Sequence, residues 1–201
     1  MATQAALRDA EWDVVDLLWE HGPSPIQCVF RRIRGGWEPW VIVARSAIMA
    51  RVGREGLGLY AARSFKQGQF LGRYSGEVVG RFRNREEALA SAGARRLLAH
   101  GNDKLLTVVP ARGGVELIDG ESAGPPFFQR MNDPIGTRLS ANVRVTSGGW
   151  VEVKQKRIPA FRMSKSVEQN IASELRFEYG SEYWDLMSRL GSKDAPIDLD
   201  F

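Results

Sequence analysis

Four aromatic side chains crowd one short stretch of this chain. Phe177, Tyr179, Tyr183 and Trp184 all fall within Glu174–Trp184, which reads E-L-R-F-E-Y-G-S-E-Y-W. Tyrosine and tryptophan join an apolar body to a polar handle, so such a cluster is costly to expose and suits the lining of a narrow, half-wet passage. Taken alone, the stretch reads first as a strand of core aromatics running into a helix. Upstream, Gly53–Tyr60 (G-R-E-G-L-G-L-Y) is glycine-rich, and glycine lets a backbone approach a ligand closely because no side chain intervenes. No Gly-Lys-Ser/Thr follows, so it is not a Walker loop. The spacing is wrong for a dinucleotide fingerprint, and the following residues alternate as strands instead of opening a helix. By itself the loop reads as turn glycines. Cys28 is the single cysteine and His21 and His100 are the only histidines. That excludes an internal disulfide and a thiolate zinc cluster, and no metal site is expected.

These residues need a scaffold, and the composition can supply one. A chain of 201 residues with 43% hydrophobic and 26% charged residues is expected to be one domain with a real core, plus an extension. The net charge of +4 is mild; without an aromatic-basic RNA motif, direct nucleic-acid binding is not expected. No signal-peptide pattern is present, and the longest apolar run, Trp40–Ala44, is far too short to span a bilayer. An intracellular protein that does not bind membranes is expected.

The elements read as follows. Trp12, Val15, Leu18 and Trp19 share one helical face, which predicts a helix over Asp9–Glu20 stopped by Gly22-Pro23. Gly35-Gly36 is a turn, Trp40–Val43 a buried strand and Ala47–Val52 another. Leu59–Phe65 and Phe70–Tyr74 form a predicted hairpin about Lys66-Gln67-Gly68, closed by Tyr74–Glu77. Asn84–Ala99 is helical, capped by Asn84 with Glu86 and Glu87 in its first turn. Leu105–Val109 and Val115–Asp119 pair across Gly113-Gly114, and Val143–Val145 pairs with Trp150–Val153 across Ser147-Gly148-Gly149. Phe127–Asn142 is irregular. Short strands, glycine turns and no βαβ alternation make the expected fold mainly β (α+β).

Composition and periodicity do not name a function, but the order of short motifs points to one. G-L-G-L-Y-A (56–61), Y-S-G-E (74–77), L-I-D-G (117–120), M-N-D (131–133), A-N-V (141–143) and E-L-x-F-E-Y-G-x-x-Y-W (174–184) follow one another along the chain. In this order they closely resemble the SET-domain lysine methyltransferases, over about Ala47–Trp184. The resemblance implies small curled β-sheets with a C-terminal pseudoknot. It divides the chain into an N-terminal helical or extended region (1–44), a SET domain (45–184) with a helical insert near 84–99, and a C-terminal helix with an acidic tail (185–201).

The same resemblance implies S-adenosylmethionine on one face, leaving as S-adenosylhomocysteine, and a substrate lysine entering from the other face, most naturally from a histone tail in the nucleus. Gly56, Leu57 and Gly58 would embrace the methionine part of the cofactor. Asn132 and Asp133 would hold the adenosine, with aspartate where the family usually has histidine. Asn142 would serve the knot. Tyr179 and Tyr74 match the two catalytic-type tyrosines, and Phe177, Tyr183, Val145 and Trp184 would line the lysine channel. Two departures stand out. About ten extra residues, Arg162–Ile171, interrupt the approach to the last motif, and no cysteine-rich segment follows Trp184. The missing wall falls to Tyr183–Leu190, helical by the spacing of Trp184, Met187 and Leu190, or to the partner in a homodimer. The competing classes are a SET-like module that binds peptide without turnover and a small basic nucleic-acid binder.

Overall fold

The computed structural model describes residues 10–17, 26–99, 105–110, 113–121, 124–134, 136–162, 170–180 and 185. The protein is mainly β, built from several small antiparallel sheets. The first joins β1 (Trp12–Leu17), β2 (Ile26–Ile33), β3 (Gly36–Arg45) and β4 (Leu57–Ala61) in sequence order, with helix α1 (Ala47–Arg51) between β3 and β4. Of the remaining strands, β5 (Phe65–Lys66) pairs with β12 (Arg157–Ile158), and β6 (Phe70–Arg73) with β11 (Trp150–Val153), which also holds β10 (Val143–Val145). A fourth sheet orders β7 (Glu77–Phe82), β9 (Val115–Asp119) and β8 (Leu105–Val108), and helices α2 (Arg85–Ala90) and α3 (Ala92–Ala99) precede β8. Among the described residues no helix is long and apolar enough to cross a membrane.

The sheets share a core. Val29, Trp40, Leu59, Phe65, Leu71, Met131, Val143, Val151, Ile158 and Leu175 form one buried cluster, so strands distant in sequence bury side chains together. Trp40 also donates its indole N–H to Leu71 O at 2.7 Å, so the ring carries no unanswered polar atom into the core. A second cluster, built on Ala88, Ala94, Leu98, Leu105, Val115 and Leu117, seals α2 and α3 onto the β7–β9–β8 sheet.

Several local expectations fail for identifiable reasons. The stretch expected as a helix from Asp9 to Glu20 contains β1, which runs antiparallel to β2 with Val14 opposite Val29 and Val15 opposite Cys28. Leu18 and Trp19, which completed the helical face, lie outside the described residues. Trp12 and Val14 instead pack on the main core at strand period, and pairing with β2 overrides the local pattern. Ala47–Val52 is not a strand. Ser46 caps α1 by accepting Met49 N–H on its Oγ at 3.0 Å, and Ala, Met and Arg are good helix formers.

The hairpin expected across Leu59–Tyr74 does not form, because β4 pairs with β3 and β6 with β11. Only its turn survives, with Gln69 N–H donating to Lys66 O. The helix at 84–99 is two helices. Asn84 Oδ1 accepts Glu87 N–H and Glu87 returns its carboxylate to Arg83 N–H, but Ser91 interrupts and accepts Ala94 N–H on its own Oγ, starting α3. The hairpins β8–β9 and β10–β11 form as read, the first with Leu105 opposite Asp119. The boundary expected at residue 44/45 falls inside β3, where Ala44 and Arg45 pair with Gly58 and Leu57 of β4.

Candidate active site

The segment Ile171–Gly180 organises the site. It carries no regular strand, yet it is pinned on two sides. Ala61 N–H donates to Ser173 O and Leu175 N–H to Leu59 O, holding it along β4. On the other side Asn142 brackets it: its Nδ2 donates to Glu174 O at 2.8 Å, and its Oδ1 accepts Arg176 N–H at 2.7 Å. Asn132 and Arg176 form an isolated parallel bridge, and Phe177 N–H donates to Asn132 O. Motifs far apart in sequence thus meet at one crossing.

At its centre Glu174 is fully buried, 0% exposed. Its Oε1 accepts from Ser46 Oγ at 2.6 Å and Asn132 Nδ2 at 3.1 Å. Its Oε2 accepts from the N–H groups of Ala47 at 2.9 Å and Ile48 at 3.0 Å, at the start of α1, with the Tyr60 hydroxyl at 3.2 Å. Burial pushes its carboxyl above the usual range, and the hydrogen bonds from Ser46, Asn132, Ile48 and Tyr60 pull it part of the way back. Burial first, then the Glu174 charge, pushes the Tyr60 phenol upward. Burial lowers Arg176, opposed by Glu174, and its guanidinium donates to Ser140 O and Ile171 O.

This cluster accounts for two of the glycine-loop and asparagine positions. A Cβ on Gly58 would lie 2.3 Å from Glu174 Oε1, so the glycine makes room for the carboxylate. At Gly56 a Cβ would make ordinary contact with the flexible Met49 side chain, at 3.5 Å, while the Gly56 carbonyl accepts Ser46 N–H at 2.8 Å. Asn132 turns its amide inward, donating to Leu57 O at 3.0 Å, Ser46 Oγ and Glu174 Oε1. It fixes the glycine loop rather than facing away from it. Glu174 stood at the head of the aromatic motif, but nothing local tied it to Ser46 and Tyr60; the available signal was a serine able to cap Ala47–Arg51.

Five residues beyond Glu174 the chain reaches a cleft of about 420 Å³. Val145, Phe177 and Tyr179 line it together with Leu106, Val109 and Arg85. The rings of Phe177 and Tyr179 lie 5.6 Å apart at 55°. Tyr179 is held from three directions: its hydroxyl donates to Met131 O at 2.9 Å, its N–H to Asp133 Oδ2 at 2.7 Å, and its carbonyl accepts from Arg85 at 3.2 Å. Gly180 follows at φ +90°, a conformation other residues rarely adopt. Tyr74 is 6% exposed and sits in the main core, its N–H on Gly149 O; it is not among the residues lining the cleft. Tyr183 and Trp184 lie outside the described residues, as do residues 163–169 of the expected insertion and the C-terminal stretch apart from Asp185. No protein-family model matches the chain, and no curated protein matches it significantly.

Proposed function

We propose that this protein transfers a methyl group from S-adenosylmethionine to the side-chain amine of a protein lysine, and that its crossing at Ile171–Gly180 is the pseudoknot of a SET fold. One observation carries the reading: Leu57, Asn132, Asn142 and Glu174–Tyr179, drawn from four separate motifs, converge on a single hydrogen-bonded crossing that ends at Tyr179 in a cleft. Gly56 and Leu57, in a loop that Asn132 holds through Leu57 O, and Asp133, the residue after Asn132, are the residues that would hold the cofactor. Asn132 acts as a positioning residue for that loop. When bound, S-adenosylmethionine supplies a sulfonium methyl that is already electrophilic.

The chain's own part is to present an unprotonated amine in line. The apolar Phe177 and Val145 and the cationic Arg85 disfavour an ammonium and so lower the lysine's pKa, while Glu178 in the same lining acts the other way. Tyr179 commits its hydroxyl proton to Met131 O, which leaves only lone pairs for the cleft. Those lone pairs accept an amine N–H or a polarised methyl C–H and orient the reacting groups. A tyrosine with an ordinary pKa of about 10 suits orientation better than proton abstraction near neutrality.

The resemblance makes a histone tail the first acceptor to try. Incubation with labelled S-adenosylmethionine, using mixed histones and a whole-cell protein pool as separate acceptors, tests the reading. Label on lysine in either pool supports it. Cofactor binding by calorimetry with no label transferred to either pool supports the binding-only module instead, and absence of both overturns the family reading.

A further inference from the structure

Next to the Tyr179 cleft lies a larger one of about 1410 Å³, and the two share Val109, Val115, Thr146 and Ser147 in their walls. It exceeds the roughly 300–1,000 Å³ of a small-molecule pocket, so its size suits a length of polymer. Its charge is uneven. Arg73, Arg81 and Arg83 line it, against Glu87 and Glu116. Both carboxylates are engaged: Glu116 pairs with Arg81 at 2.9 Å, and Glu87 accepts Arg83 N–H at 3.0 Å. Arg73 and Arg83 make no side-chain ion pair among the described residues. Arg73 and Arg83 therefore line the cleft, as does Trp150, without an anionic side-chain partner among the described residues.

We infer that this cleft receives an acidic stretch of the substrate polypeptide, so that the acceptor lysine is one flanked by Asp or Glu. The inference rests on the methyltransferase reading for the role of the neighbouring cleft. Planar guanidinium groups match carboxylates in fork geometry. A tail rich in lysine and arginine would bring like charge to Arg73 and Arg83. A nucleic-acid strand, charged at every phosphate, would meet Glu87 and Glu116 as well, whereas spaced carboxylates need not. Acidic peptide is the occupant that fits both signs.

The test uses fluorescein-labelled peptides that each carry one lysine, flanked either by Asp/Glu or by Lys/Arg, and reads binding to the full chain by anisotropy. The acid-flanked peptide should bind about fivefold to tenfold tighter, and high salt should erase the preference. The variants R73E/R83E and R73Q/R83Q, their folding checked by circular dichroism, should lose the preference too. Equal affinity for the two peptides, tighter binding of the basic one, or full displacement of the acidic one by an equimolar single-stranded oligonucleotide would overturn the inference. Methyl transfer is scored separately on the same peptides. Arginine-dependent acidic binding without transfer removes the methyltransferase reading and leaves the docking inference standing. Transfer with no acidic preference does the reverse.

Discussion

Glu174 and Tyr179 are five residues apart, and the structure treats them in opposite ways. Around Glu174 the chain is closed: a buried carboxylate meets Ser46, Asn132 and two backbone N–H groups of α1, and it lines neither cleft. Around Tyr179 the chain is open. The ring is half-buried against the smaller core, and its neighbours Phe177 and Val145 line a cleft. The first place joins segments 128 residues apart and gives the second its rigidity. Stability should therefore be lost at Glu174, and turnover at Tyr179. Substitutions can separate the two.

The largest effect is expected at Glu174. Alanine there would take away the acceptor of Ser46 Oγ and Ile48 N–H, remove one of the acceptors of Ala47 N–H and Asn132 Nδ2, and leave a void, costing about 3–5 kcal/mol in chemical denaturation. Glutamine should cost less, about 1–2 kcal/mol, because its amide oxygen keeps the α1 donors while its NH₂ opposes Asn132 Nδ2. The pH dependence follows from direction. Burial raises the folded-state carboxyl above its unfolded value, so the folded protein binds the proton more tightly. Its stabilising contribution is complete below the unfolded pKa of about 4.3 and is lost as pH rises through the folded value. The gap between the native protein and Glu174→Gln should therefore narrow as pH rises above about 4. A gap that widens would mean the donors hold the carboxylate charged.

Tyr179→Phe should act on the other side of the comparison. It removes one hydrogen bond, to Met131 O, and should cost only about 1 kcal/mol of stability. Turnover should fall about 100-fold, equivalent to about 2.7 kcal/mol in the barrier. Cofactor affinity should barely change, since the hydroxyl is assigned to the reacting amine and methyl. Single-turnover kinetics beside calorimetry separate these quantities. An equal loss in both would make Tyr179 part of the scaffold, like Glu174.

How much of this could be read from residues alone follows the same division. On the Tyr179 side the local signals, aromatic types at close spacing and a glycine after the tyrosine, read alone as core aromatics. Only the order of the motifs along the chain set Phe177, Tyr179 and Val145 side by side, with Val145 in a hairpin strand that forms as read. The Glu174 side was not legible. Its partners come from Ser46, Tyr60 and Asn132, and no local period carries such contacts. The errors in the fold share that cause. Both β1 and β6 are decided by partners from elsewhere in the chain, β2 and β11, and long-range pairing won over a good local helix face and a good local turn. At Ala47 the mistake was local: a serine cap was present and was read past. Tyr74 sits in between, matched by motif yet buried in the main core.

The smallest effect expected is a change in product, not in rate. A cleft that lets the amine rotate and accept a second methyl needs room beside it, and a water anchored by a hydroxyl would fill that room. Phe177 and Val145 both face the cleft, and neither carries a hydroxyl. Transfer should therefore continue past the monomethyl form when cofactor is in excess. Phe177→Tyr would add a hydroxyl within reach of the Tyr179 ring, whose centroid lies 5.6 Å from that of Phe177. A water held there would cost about 0–2 kcal/mol in ordering, small enough to spare the first transfer while crowding out the second. Mass spectrometry of one lysine peptide should show mainly di- or trimethyl product for the native protein and mainly monomethyl for Phe177→Tyr, at first-transfer rates within about threefold, or about 0.7 kcal/mol. A native protein that stops at one methyl would mean that the room beside the amine is already taken and that Phe177 does not set the product.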